Sequence, residues 1–361
     1  MMRRPQSAEC KAQSAECKVQ SAKRKLRKAS RPAWACGLVL LAVGLLPAAR
    51  HNPNPGFEFG VNPSYDDNVF QYSVRDESLF VYRAAPQRFP FRSLDDVVLN
   101  VSGRLSWQPR VIHRHTTQLG LGLVAHEFLS NPVKNYLSAS VRARQYFTRG
   151  LYVEGSYLLI PGYLIRFYRV PGSTSDYQPC TFTEHLVSLQ AGGRWTGWLD
   201  AAPFIRYEID DYQEPFAFYR TAALRAGAGA TFQVLSWLGL GLNYEFKAAN
   251  SQHVAPDISY LQHEGEAVLK PKLGRFGLDI GYDYAGRGYT ASAQVDTTHA
   301  ERIDATTGVF GRLSCALAQG FSLTADVRRE ARNSSSPYKA DIDDVKDYTQ
   351  WKAGLGVRWG R

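Results

Sequence analysis

Methionine is nearly missing from this chain, with two among 361 residues, and cysteine is scarce, with five. Beyond about residue 56 there is also no long apolar run, and a membrane-spanning helix needs about 20 such residues. That stretch is therefore not a helical membrane protein. Three of the cysteines, Cys10, Cys17 and Cys36, fall in the first 49 residues. The remaining two, Cys180 and Cys315, are too few for a disulfide scaffold. Spacing places one of them in a loop and the other in a strand, so they are expected to stay unpaired. A one-sided charge is missing from the body as well. The net charge is +10, from 43 basic and 33 acidic residues, but 10 basic and 2 acidic residues precede residue 50. The body keeps 33 against 31. A near-neutral body argues against a nucleic-acid surface, which needs clustered positive charge.

The opening 49 residues read as an export segment. Lys23, Arg24, Lys25, Arg27, Lys28 and Arg31 precede the apolar stretch Ala33 to Ala49, which has the order of a signal peptide, with cleavage expected near Ala48 to Arg50. A membrane anchor is the alternative. Cys36 lies ahead of the main apolar run, whereas a lipid-modified cysteine would follow it. The repeat QSAECKA, QSAECKV, QSAK over residues 6–23 serves no export signal and lacks coiled-coil positions. The expected start of the exported precursor lies after it. The division is thus 1–49, a basic extension plus signal peptide, and 50–361, one domain.

What the body does have is tyrosine (20), phenylalanine (18) and glycine (30). Aromatics fit a pleated surface, and glycine relieves crowding where strands bend. Alternation with period two is the dominant pattern. Trp351, Ala353, Leu355, Val357 and Trp359 oppose Gln350, Lys352, Gly354, Gly356 and Arg358. The same parity runs through 321–328, 276–284, 238–247 and 199–210, the last blurred by Pro203 and Phe204. Short links at 149–150, 196–198, 236–237, 274–275 and 318–320 alternate with longer ones near 129–135, 169–180, 212–217, 250–257, 290–300 and 333–345. Short turns on one rim and long loops on the other define a transmembrane barrel, as do strands of about 9 to 11 residues or more. Aromatics at strand ends, namely Tyr146, Phe147, Tyr163, Phe167, Tyr168, Trp195, Trp198 and Trp237, are expected in interfacial girdles. The fold expected is all-β, a transmembrane antiparallel up-and-down β-barrel of about 14 strands, with 12 and 16 as alternatives. A soluble propeller or sandwich is disfavoured by strand length.

If the apolar faces meet lipid, Arg142, Arg144, Glu154, Arg206, Glu208, Arg225, Glu245, Lys247, Asp279, Asp283, Arg312, Asp326, Arg328, Lys352 and Arg358 point into the lumen. Such charges need water or partners, and pairs formed across the lumen would partly close it. No grouping suggests catalysis or a metal, and no cofactor is implied. His113, His115, His126 and His253 are scattered. The carboxylates of Asp210 and Asp211 point to opposite faces of a strand, and Asp343-Asp344 reads as a solvated loop pair. Gly286-Arg287-Gly288 does not open a helix as a phosphate loop does.

Two segments resemble an uncharacterised family of porin-like outer-membrane β-barrels. One is GVNPSYDDNVF (60–70), whose Tyr65 to Phe70 is similar to that family's entry strand and turn. The other is VRREARNSS (327–335), with the acidic loop and terminal strand that follow. The terminal strand also resembles the signal read by the barrel assembly machinery, with Lys352, Gly354, Val357 and Trp359 filling it, although Gly360 and Arg361 follow where an aromatic usually ends the chain. The resemblance implies a channel of the cell envelope. Together with the polar inner face and the lack of catalytic groupings, the expectation is a non-enzymatic outer-membrane channel of a Gram-negative bacterium for small hydrophilic solutes, with lipid and the assembly machinery as partners. A structural, assembly or export component with a closed lumen is the alternative.

Overall fold

A computed structural model describes residues 55–360 except 110, 113, 114 and 149. The export segment and His113 therefore lie outside the described residues. Fourteen strands follow one another: β1 (Gly56–Asp66), β2 (Asp96–Trp107), β3 (Thr117–Phe128), β4 (Tyr136–Tyr146), β5 (Tyr152–Arg169), β6 (Tyr177–Arg194) and β7 (Leu199–Tyr212). The second half comprises β8 (Thr221–Leu235), β9 (Leu238–Ser251), β10 (Tyr260–Leu273), β11 (Phe276–Tyr289), β12 (Ile303–Ala316), β13 (Phe321–Ser335) and β14 (Tyr348–Gly360). Each pairs antiparallel with its sequence neighbours, and β1 pairs with β14 to close the barrel. The closing seam skips Asn62 and Pro63, although β2 pairs with both. A proline ring nitrogen has no hydrogen to give to a ladder.

Alternation sorts the side chains as lipid and water would. On β9, Leu242 and Tyr244 are 41% and 51% exposed, whereas Glu245 and Lys247 on the other face are buried. Two histidines share the apolar outer face, and each has a partner. The Tyr157 hydroxyl lies 2.8 Å from His185 Nδ1 and the Tyr244 hydroxyl 2.8 Å from His263 Nδ1, which offsets the cost of placing a polar ring against hydrocarbon. Arg329, also outward, lies over Trp351.

The short links fall where alternation puts them, and a further link, 108–116, joins β2 to β3 on the same rim. Several expectations need correction. The 169–180 link is shorter, because β5 runs on to Arg169 and β6 begins at Tyr177, which places Cys180 in a strand, fully buried and unpaired. Cys315 on β12 is also free. Two short helices lie in long links, α1 (Val74–Val81) between β1 and β2 and α2 (Ile342–Lys346) before β14.

The aromatic girdle needs correction too. Trp195, Trp198 and Trp237 are exposed on the short-turn rim, but Tyr163, Phe167 and Tyr168 are not outward girdle residues. The cause lies in β5, whose pairing with β6 shifts between Ile160 and Tyr163 and again between Leu164 and Arg166, with Gly162 at φ +63°. Each bulge inserts one residue and reverses the alternation. Tyr163, and then Arg166 and Tyr168, consequently line the interior.

The outward position of Val327, beside the inward Arg328, makes the face assignment testable. Val327→Arg should lower the unfolding free energy in lipid vesicles by about 2–4 kcal/mol if it lies near the midplane. An unchanged denaturant midpoint would place Val327 away from hydrocarbon.

Candidate functional site: the barrel interior

The inner wall carries a network of ion pairs built by strand register. On β7, β8 and β9 the charges alternate. Glu245 accepts from Arg206 Nη1 at 2.8 Å and from Arg225 Nε at 2.5 Å, while Glu208 accepts from Arg225 Nη1 at 2.6 Å and from Lys247 Nζ at 2.5 Å. Phe204, which blurs the sequence pattern, faces inward as a platform, with the Arg206 guanidinium 3.9 Å from its ring centre. On β4 and β5, Glu154 accepts from Arg144 at 2.6 Å and lies 3.8 Å from Arg142. Arg328 of β13 reaches Asp283 of β11 at 2.7 Å and Glu330 at 3.1 Å. At the seam, Lys352 pairs with Asp66 and Arg358 with Glu58, both at 3.4 Å.

Of the fifteen charged positions taken from alternation, the structure thus places twelve in ion pairs. Asp279, Arg312 and Asp326 stand opposite one another in register with no ion pair among the described residues. Every pair in this network joins strands no more than two apart. The charges therefore lie along the wall, and none of these pairs bridges the lumen.

Glycine makes one of these pairs geometrically feasible. Gly308 of β12 lies between Asp283 and Arg328, and a Cβ there would fall 2.2 Å from Asp283 Oδ2 and 2.7 Å from Arg328 Nη2.

The mouth is organised by residues that alternation did not select. The segment 67–95 turns inward at the Asp66-Asp67-Asn68 sequence. Asp66 Oδ1 accepts from Asn68 N at 3.1 Å and from Gln350 Nε2 at 2.7 Å, and Asn68 exchanges two 2.8 Å hydrogen bonds with the Tyr72 backbone. Val69 and Phe70 then pack with Val98, Phe128 and Leu164 in one buried cluster. Phe70 stacks on Phe91 at 4.0 Å, and Phe80 and Phe89 extend the cluster. Two cations hold the backbone carbonyls of the turn: Lys134 Nζ donates to Val69 at 2.8 Å, and Arg166 donates to Phe70 at 2.8 Å and also to Gln71. Burial pushes the Lys134 ammonium down to about 7.

Beneath this turn lies a cavity of about 780 Å³, and toward the short-turn rim a second of about 440 Å³ lined by Tyr152, Gln190, Phe204, Arg206, Asn243 and Lys270. The upper cavity includes Arg287, Arg302, Arg332 and Lys346, none of them selected from sequence. Arg332 and Arg287 follow the parity of Arg328 and Asp283 and could have been found by extending those strands. Arg302, Lys134 and Lys346 lie in links, where period two gives no signal. Burial, then the nearby Arg166, Arg302 and Arg332, drive the Lys346 ammonium well below its ordinary value. Burial also lowers His299, partly countered by Asp296 at 2.6 Å. His126, stacked on Tyr136 and 2.6 Å from Asn100, is a lining residue as well. Among the described residues, no group of three or more His, Cys, Asp or Glu could hold a metal ion.

A closed strand cylinder, apolar outside and ion-paired inside, defines the class: an outer-membrane-type transmembrane β-barrel. No protein-family model and no curated protein matches the chain. Among solved structures it is similar to a loop L8 deletion mutant of OmpT, an outer membrane protein of Vibrio cholerae, at 8% identity over 85% of this chain and 99% of that one, with a TM-score of 0.47. It is also similar to the outer membrane channel DcaP of Acinetobacter baumannii (9% identity, 85% and 96% covered, TM-score 0.46) and to an anion-selective porin from Comamonas acidovorans (8%, 85% and 99%, TM-score 0.43).

The Gly308 contact yields a double-mutant test. Gly308→Val should destabilise the barrel by about 1 kcal/mol, because the Asp283 and Arg328 ends that a Cβ would meet must swing apart and give up their ion pair. With Asp283 and Arg328 both changed to alanine the same substitution should be close to neutral in urea unfolding. An equal cost in both backgrounds would show that the ion pair is not what glycine accommodates.

Proposed function

We propose that this chain is a non-enzymatic diffusion channel of the bacterial outer membrane that passes small hydrophilic solutes. The observation that carries this reading is the direction of the ion pairs. Because they run along the wall between strands no more than two apart, they pair most charges of the regular strands without bridging the lumen, and they leave cavities lined by polar groups. A charged wall in contact with water sets the local field for whatever passes. Glu208 and Glu245 are each held by two cations, an arrangement suited to a fixed field rather than to proton transfer. In this reading the partners are outer-membrane lipids, the barrel assembly machinery, which would read Lys352, Gly354, Val357 and Trp359, and the solutes.

The inward turn of 67–95 favours a second reading, a barrel whose mouth is filled and whose role is structural or in assembly or export. Planar-bilayer recording separates the two. The channel reading expects discrete conductance steps from the full-length protein, and a Glu208→Gln reversal potential displaced toward anion preference. A variant with residues 71–94 replaced by a Gly-Ser linker should conduct more. Silence from both the full-length and the linker barrel, each with heat-modifiable gel mobility, would contradict the channel and leave the structural reading.

A further inference from the structure

The upper cavity has two unlike walls. Five of its cations, Lys134, Arg166, Arg287, Arg332 and Lys346, have no carboxylate within ion-pair distance among the described residues. The first two are occupied by the carbonyls of the inward turn. The other three belong to β11, β13 and α2, and face the cavity from one side together with Arg302. Arg302 is 3% exposed and bound to Asp304, yet its Nη1 has no hydrogen-bond partner. Arg332 spends two of its donors on the Lys346 carbonyl, and Arg287 gives Nε to Gln262. Asp304, already bound to Arg302, offsets only part of the charge of these neighbouring cations, and the positive excess favours an anion between them.

The opposite wall carries aromatics, together with the β6 and β7 carboxylates Glu184, Glu208 and Asp210. Tyr136, Tyr163, Phe182, Tyr212 and Tyr219 follow one another across β4 to β7 and the turn before β8, with successive ring centres 5.0, 5.5, 5.2 and 5.8 Å apart. In a closed barrel of fourteen strands, positions seven strands apart face each other. The aromatic wall centres between β5 and β6 and the cationic wall on β12, so they oppose across the cavity. Its volume of about 780 Å³ falls in the range of small-molecule sites, which run from about 300 to 1,000 Å³.

We infer that this cavity is a binding site for a small anion carried on a ring, a carboxylate of an aromatic or sugar ring. The carboxylate is taken by Arg287, Arg332 and Lys346, and the ring lies against Tyr212 and its aromatic neighbours. Retention there does not require passage through the barrel, so the site stands apart from the channel reading.

Isothermal titration of the full-length protein in detergent tests it, with benzoate and glucuronate as ring acids, benzyl alcohol and glucose as their uncharged counterparts, and inorganic phosphate as an anion without a ring. At least one ring acid should bind tenfold or more tightly than its uncharged counterpart and than phosphate, and which acid does so tells an aromatic ring from a sugar. Arg287→Gln should remove most of the preference for the acid over its uncharged counterpart. Tyr212→Ala should bring the acid down toward phosphate. Leu242→Ala, on the outward face of β9, should leave binding unchanged and serves as the folded control. Equal affinity for charged and uncharged rings, phosphate binding as tightly as the ring acids, or no heat from any of the five overturns the site, whatever the bilayer recordings show.

Discussion

A backbone that crosses hydrocarbon must satisfy its own N–H and C=O groups, and a sheet does so only by closing on itself. Here closure is made by β1 and β14, the ends of the described chain, so the seam holds together segments nearly 300 residues apart in sequence. Once the sheet is closed, period two leaves each strand one face toward lipid and one toward the interior. The interior cannot be filled with hydrocarbon from such a sequence, because the inward positions carry Arg, Lys, Glu and Asp. Each of these charges must then find water or a partner. Strand register supplies partners one or two strands away for most of them, and the result is an ion-paired wall below the upper cavity.

The link 67–95 works against that regularity. A mouth lined by strands alone would be wide, and this segment narrows it by bringing its own aromatic cluster of Phe70, Tyr72, Phe80, Phe89 and Phe91 against inner-face residues Val98 and Phe128. Backbone carbonyls carried into a buried place need donors. Lys134 and Arg166 provide them, the latter delivered by a double bulge in β5. The bulges, the inward turn and the upper cavity are thus one arrangement, confined to the end of the barrel where the links are long.

The architecture was legible because it depends on a repeated local rule. Trp351 to Trp359, Leu238 to Phe246 and Phe276 to Tyr284 each show the period, and link lengths alternate enough to give the strand number and the two rims. The ion-pairing residues of the regular strands were legible for the same reason. Where a bulge reverses parity, as at Tyr163, the rule returns the wrong face, and nothing in Pro161-Gly162 alone announces two successive shifts. Positions in links, such as Lys134, Arg302 and Lys346, have no period to betray them, and their burial depends on where a distant strand leaves room. The Tyr65-Asp66-Asp67-Asn68 motif was visible as a turn. That it turns into the barrel follows from Gln350, which is 284 residues further on.

The central claim is that one face of each strand meets lipid and the other lines an aqueous, ion-paired interior. Its most direct measurement is a nitroxide scan of positions 238 to 247 on β9, one cysteine label at a time, in the protein reconstituted in lipid. Accessibility is read with oxygen, which partitions into hydrocarbon, and with a water-soluble nickel chelate. Collision with oxygen should peak at positions 240, 242 and 244, and collision with the chelate should peak at 239, 241 and 243, out of phase along the strand. In-phase profiles, or an oxygen maximum at Asn243 and Glu245, would contradict the account.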